Sequence, residues 1–135
     1  MKELKKILVI EDDQFLQDLY RIFFKKLGAE IIVTENSDEI LQLVSQGEIS
    51  LIIMDVNLRN TNLNFERIDG IRFSRYIKEH FYYMHIPILL VTAYPISNLS
   101  SNLLEQSLAD DYLLKPIIDY NQLIEKINNL LSVKS

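Results

Sequence analysis

At 135 residues the chain has the length of one domain, enough to bury most of its apolar surface without disulfide or metal staples. A composition of 48% hydrophobic and 24% charged residues, with only three Gly and three Pro, is that of a folded globular protein, and a net charge of −5 argues against general binding to nucleic acid or anionic membranes. The absence of cysteine excludes disulfides and thiolate zinc sites and fits a reducing compartment.

Apolar, strand-like runs alternate with amphipathic, helix-like ones along the chain. Met1 to Lys6 is followed by only four apolar residues, Ile7-Leu8-Val9-Ile10, too few for a signal peptide but suited to a buried first strand. Leu16, Leu19, Tyr20, Phe23 and Leu27 then recur at three- and four-residue spacing, which predicts a helix from Asp13 to Leu27 closed by Gly28. Ile31-Ile32-Val33 is a second strand. Asn36 or Ser37 can cap a second helix, carrying Ile40, Leu41 and Val44 and stopping near Gly47. Leu51-Ile52-Ile53-Met54 forms a third strand that ends in Asp55. After a polar excursion, Ile71, Tyr76, Ile77 and Phe81 mark a third helix, and Ile88 to Val91 a fourth strand entered through Pro87. Leu99, Leu103 and Leu104 have helical spacing within Ser97 to Leu108, although Ser and Asn lower the propensity of that segment. Tyr112-Leu113-Leu114 is a fifth strand. Asp119 can cap a last helix that buries Leu123, Ile127, Leu130 and Leu131. None of the apolar runs is long enough to span a bilayer, so a cytoplasmic protein is expected.

Strands that are apolar on both faces, alternating with helices, require a parallel sheet covered on both sides. The expectation is an α/β, flavodoxin-like, doubly wound sheet of five strands in the order 2-1-3-4-5 with five helices, as one domain over residues 1–135. That order sets the first and third strands side by side at the switch point. Glu11, Asp12 and Asp13 leave the first strand, Asp55 the third, Thr92 and Ala93 the fourth, and Lys115-Pro116 the fifth. All stand at carboxyl ends, so the topology gathers them in one cleft. Two carboxylates a few ångströms apart repel by about 4 kcal/mol at an effective dielectric near 20. Lys115 alone does not balance three of them. Hard oxygen ligands of this kind suit Mg²⁺.

Over essentially its whole length the sequence resembles the receiver domain of two-component response regulators, in its single-domain, chemotaxis-regulator-like form. Ile7 to Asp13 is similar to the family's first strand with its acidic pair, and Leu51 to Asp55 to the strand ending in the phosphoaccepting Asp. Val91-Thr92-Ala93 is similar to its switch-threonine segment, and Ala109 to Pro116 to its fifth-strand signature. The resemblance implies that Asp55 accepts a phosphoryl group from a histidine kinase or histidine phosphotransfer protein in a Mg²⁺-dependent reaction. It implies Asp12, Asp55, Glu11 (through metal-bound water) and the Asn57 carbonyl as the metal set, with Lys115 and Thr92 on the phosphoryl oxygens. Tyr112 resembles the switch aromatic, which would relay Thr92's movement to a protein target on the face of the fourth helix, fifth strand and fifth helix. Asn57, Ala93 and Tyr94 would modulate the site, and Asp13 is expected as a helix cap. The chain would catalyse its own phosphorylation and slow dephosphorylation, with no turnover of an external substrate. No output domain, nucleic-acid partner or membrane partner is expected.

The sequence departs from the family between Asp55 and Asp69-Gly70. Val56 to Ile68 is about seven residues longer than the usual connection and Asn-rich, which suits either a tolerated surface insertion or a docking or lid element. Two other readings compete. A phosphoaspartyl hydrolase would need a second Asp where Asn57 stands, and a phosphorylation-independent binding module would not need Asp55, Thr92 and Lys115 together.

Overall fold

The structure is a computed structural model that describes residues 6–93 and 102–132. Its central sheet contains β1 (Lys6–Ile10), β2 (Glu30–Thr34), β3 (Leu51–Asp55), β6 (Ile88–Thr92) and β7 (Asp111–Leu114). All neighbours are parallel, in the order β2-β1-β3-β6-β7. This is the expected 2-1-3-4-5 order, with two short strands, β4 (Asn62–Leu63) and β5 (Glu66–Arg67), added as an antiparallel hairpin in the long connection.

The continuous apolar runs follow from burial on both faces. Alternate residues Ile7, Val9, Leu51, Ile53, Leu89, Val91 and Leu113 meet Tyr20 and Phe24 of α1 (Gln14–Leu27) and Leu123 and Ile127 of α5 (Tyr120–Ser132). The intervening residues, among them Leu8, Ile10, Ile52, Met54, Ile88 and Leu90, meet Ile40 and Val44 of α2 (Ser37–Ser45) and Phe73 and Ile77 of α3 (Gly70–His80). Phe24 and Phe73, fully buried on opposite faces, each contribute about 1.5–3 kcal/mol by leaving water.

The helix ends carry the caps that the sequence asks for. Asp13, Asn36 and Asp69 accept backbone N–H bonds from Leu16, Glu39 and Arg72, and Gly28 closes α1 at φ 73°. One apolar stripe differs from expectation. Leu27 is 47% exposed, and the buried face of α1 runs through Gln17, Tyr20 and Phe24 instead. Gln17 tolerates burial because its amide donates to the Glu11 carbonyl at 2.6 Å.

The third helix stops at Phe81, which is half-buried against the core, whereas Tyr82 and Tyr83 in the following 3₁₀ turn are exposed. The fourth helix, α4, covers Leu103–Ser107, with Leu103 and Leu104 against the core. The earlier part of its expected span, including Leu99, lies outside the described residues, as does Tyr94. Among the described residues no helix is long and apolar enough to cross a membrane.

Candidate functional site

Strand parity assembles the site. Glu11, Asp55 and Lys115 each follow by two residues a member of the same apolar face, Val9, Ile53 and Leu113. Side chains alternate along a strand, so all three project to that face where its apolar lining ends. The ladder continues just far enough to hold them in register: Glu11 N–H donates to the Thr34 carbonyl (3.4 Å), Val56 N–H to Val91 (3.0 Å) and Lys115 N–H to Thr92 (2.8 Å).

Glu11, Asp12 and Asp55 each offer one carboxylate oxygen, all within 4.8 Å of one another, and Lys115 Nζ lies 2.8 Å from Asp55 Oδ1. With Asn57, Arg59 and Asn60 they line a cleft of about 240 Å³. Glu11 and Asp55 are 1% and 3% exposed, so little water screens them from one another. Burial, then the charge of Asp55, pushes the Glu11 carboxyl up to about 7 against the opposing pull of Lys115. Burial also works to lower the pKa of the Lys115 ammonium, but the hydrogen bond and charge of Asp55, with Glu11 behind it, prevail and raise it.

The arrangement has one unmet demand. Glu11 Oε1 is buried without a hydrogen-bond partner, 3.5 Å from Lys115 Nζ. An orphaned carboxyl oxygen beside two further carboxylates is what a hard divalent cation would satisfy, and the all-oxygen donor set suits Mg²⁺. Glu11, Asp12 and Asp55 are the residues that could hold such an ion.

The other expected residues fall around this centre. Asn57 N–H donates to Asp55 Oδ1 at 3.2 Å, and the Lys115-Pro116 bond is cis. Thr92 is fully buried at the end of β6, one residue beyond the position paired with Asp55, and Ala93 follows it at the surface. Tyr112 is half-buried on β7, with the ammonium of Lys126 5.7 Å from its ring centroid. Asp13 caps α1, as expected.

Two contributors escape sequence reasoning. Gly70 packs behind Asp55, where a Cβ would lie 2.0 Å from the Asp55 carbonyl oxygen. The Asp69-Gly70 step signals a helix start but not this contact. The backbone N–H groups of Arg59 and Asn60 bind Asp12 Oδ2 at 2.5 and 3.1 Å, and no side-chain pattern reports a backbone donor.

Comparison with known proteins bears on the family and the fold. The model of the response regulator receiver domain matches residues 7–128. The polar-differentiation response regulator DivK of Brucella anthropi is 28% identical over 127 residues, covering 94% of this chain and 96% of that protein. Among solved structures, the response regulator TrrA of Thermotoga maritima, in complex with Mg²⁺ and BeF, superposes with a TM-score of 0.75 at 26% identity, covering 95% of this chain and all of that one. A receiver domain from Saccharomyces cerevisiae, co-crystallised with a histidine phosphotransfer signalling protein, shares the fold with a TM-score of 0.76 at 22% identity, over 96% of this chain and 90% of that one. With a matching family model over nearly all of its length and the acidic cleft at its sheet edge, this chain belongs to the response regulator receiver domain family.

Proposed function

We propose that Asp55 is the phosphoryl acceptor, that Mg²⁺ bound by Glu11, Asp12 and Asp55 assists the transfer, and that the donor is the phosphohistidine of a histidine kinase or histidine phosphotransfer protein. The observation that carries this reading is the meeting of three carboxylates within 4.8 Å, one of them held by the Lys115 ammonium at 2.8 Å. Lys115 and the Asn57 N–H both bind Oδ1 of Asp55, so we assign the attack to Oδ2. Its lone pair forms the O–P bond while the N–P bond of the donor breaks and its electrons return to the imidazole. The product is an acyl phosphate. When bound, magnesium supplies positive charge that screens the approach of two anions.

Lys115, now bound to Asp55 Oδ1 at 2.8 Å, would follow the charge, passing from Asp55 to a phosphoryl oxygen as Asp55 becomes esterified. Thr92, at the end of the neighbouring strand, would donate its hydroxyl to the same group. Its movement would release space for Tyr112 and alter the surface of α4, β7 and α5, where a protein target would read the state. Signalling in a cytoplasmic relay is the role that follows.

The test is intact mass after incubation with Mg²⁺ and acetyl phosphate. A phosphoryl adduct that is lost in Asp55→Asn and under a chelator supports the reading. No adduct from a folded chain, with phosphohistidine donors also tried, would favour a phosphorylation-independent binding module of the same fold.

A further inference from the structure

The long connection after Asp55 is an ordered element. Leu58, Thr61 and Ile68 are 4%, 1% and 6% exposed, so the base of the β4–β5 hairpin is sunk into the fold. Thr61 closes the base through its carbonyl, which accepts from Ile68 N–H at 2.9 Å, and anchors it through its hydroxyl, which donates to the Glu35 carbonyl at 3.0 Å. The Ser37 hydroxyl at the start of α2 donates to the Asn62 carbonyl. Between these anchors and Asp55, the chain presents two successive N–H groups, those of Arg59 and Asn60, to Oδ2 of Asp12.

A carboxylate oxygen has two lone-pair directions, and two N–H donors on Oδ2 use both. Oδ1 takes no part in these two bonds, which leaves it available to a cation. The bonds also fix the plane of the carboxylate, which would otherwise turn freely at this partly exposed position.

We infer that the Arg59–Asn60 segment is a built-in clamp for the cation ligand Asp12: its two backbone N–H groups hold Oδ2 and orient Oδ1, so cation affinity and closure of the hairpin base on Asp12 are thermodynamically linked. The inference rests on the proposed role of Asp12 as a magnesium ligand. Arg59 and Asn60 act as positioning residues, through their main chain and not their side chains. The second consequence is reciprocity. If the clamp raises cation affinity by some factor, the cation lowers the probability of clamp opening by that same factor.

Two measurements on the full chain test this. Calorimetric titration with MgCl₂ is expected to show affinity reduced about tenfold in Asn60→Pro, which lacks the donor and constrains Arg59 before it, and unchanged in Asn60→Ala, which keeps the N–H. Hydrogen exchange of the Arg59 and Asn60 amides in the wild-type protein is expected to slow by a similar factor on saturation with MgCl₂. The exchange measurement needs no variant and stands even where Asn60→Pro fails to fold. Exchange that is unchanged or faster with magnesium, or wild-type affinity in a folded Asn60→Pro, overturns the clamp while leaving the phosphoacceptor reading intact. A wild-type chain that binds no magnesium overturns both.

Discussion

Gly70, the first residue of α3, stands directly against the backbone of Asp55. Its N–H donates to the Val56 carbonyl at 2.9 Å, and a Cβ built on it would lie 2.0 Å from the Asp55 carbonyl oxygen and 2.8 Å from the Val56 Cα. Since the obstructing atoms are backbone, no rotamer change can relieve the overlap, and helix and strand end must separate. Gly70→Ala is therefore expected to destabilise the fold by about 1–3 kcal/mol, as overpacking does, and to displace the carboxylate. The urea midpoint reads the first effect and the yield of phosphoryl adduct from acetyl phosphate the second. Wild-type values for both would show that the helix start moves without cost.

Lys115 is the cation that the protein itself supplies to Glu11 and Asp55, at 3.5 and 2.8 Å. Replacing it with Met keeps much of the stem's volume and leaves the two buried carboxylates facing one another. Loss of one partner of a buried pair costs about 3–5 kcal/mol, and the 20% exposure of the Lys115 side chain reduces the expectation to about 1–3 kcal/mol. Saturating Mg²⁺ should recover part of that loss by supplying charge from the other side of the cleft. Unfolding of Lys115→Met in urea, with chelator and with MgCl₂, checks both statements.

The hairpin tip places two non-glycine residues in the left-handed region, Asn64 at φ 54° and Phe65 at φ 70°. Asn accepts this conformation readily, whereas Phe does so at a cost, and Phe65 is also wholly exposed. Phe65→Gly should stabilise the chain by about 0.5–1 kcal/mol, because the turn it creates is the favoured one for a two-residue hairpin. A lower urea midpoint would mean that the ring makes contacts worth more than the backbone strain. A higher one would show that the strain at Phe65 outweighs what its exposed ring contributes to the fold.

Much of this architecture is legible in the residues. The three inner strands, β1, β3 and β6, are written as apolar runs because both of their faces are buried, and each acidic or basic site residue ends its strand or follows it within two positions. Their common place at the carboxyl ends of parallel strands is why Glu11, Asp55 and Lys115 could be grouped without coordinates, and side-chain parity then turns all three to one face. The hairpin was not legible, since Asn62-Leu63 and Glu66-Arg67 are too short to show a period of two and the turn between them lacks its usual Gly. Nor was the burial of Gln17 in place of Leu27, which depends on one amide reaching the Glu11 carbonyl. Contacts made by backbone donors, such as those on Asp12, leave no mark in side-chain identity.

Glu11 makes stability depend on pH in a direction opposite to that of an ordinary paired carboxylate. In the folded chain, burial and the charge of Asp55 hold its carboxyl to about 7, against an ordinary value of 4.5. Between those values the folded state binds more protons than the unfolded one, so stability is fully present below about pH 4.5 and falls as pH rises through about 7. The shift corresponds to a loss on the order of 3 kcal/mol across that window. A divalent cation in the cleft favours the ionised form, so it should bind more tightly as pH rises and offset the loss. Urea midpoints measured from about pH 5 to 8 should therefore decline in chelator and decline less in MgCl₂. Other carboxylates contribute their own slopes at the acid end, and Glu11→Gln isolates the term, because its profile should lack the fall between pH 5 and 7 with or without magnesium. Identical profiles for Glu11→Gln and wild type in chelator would place the proton elsewhere in the cleft.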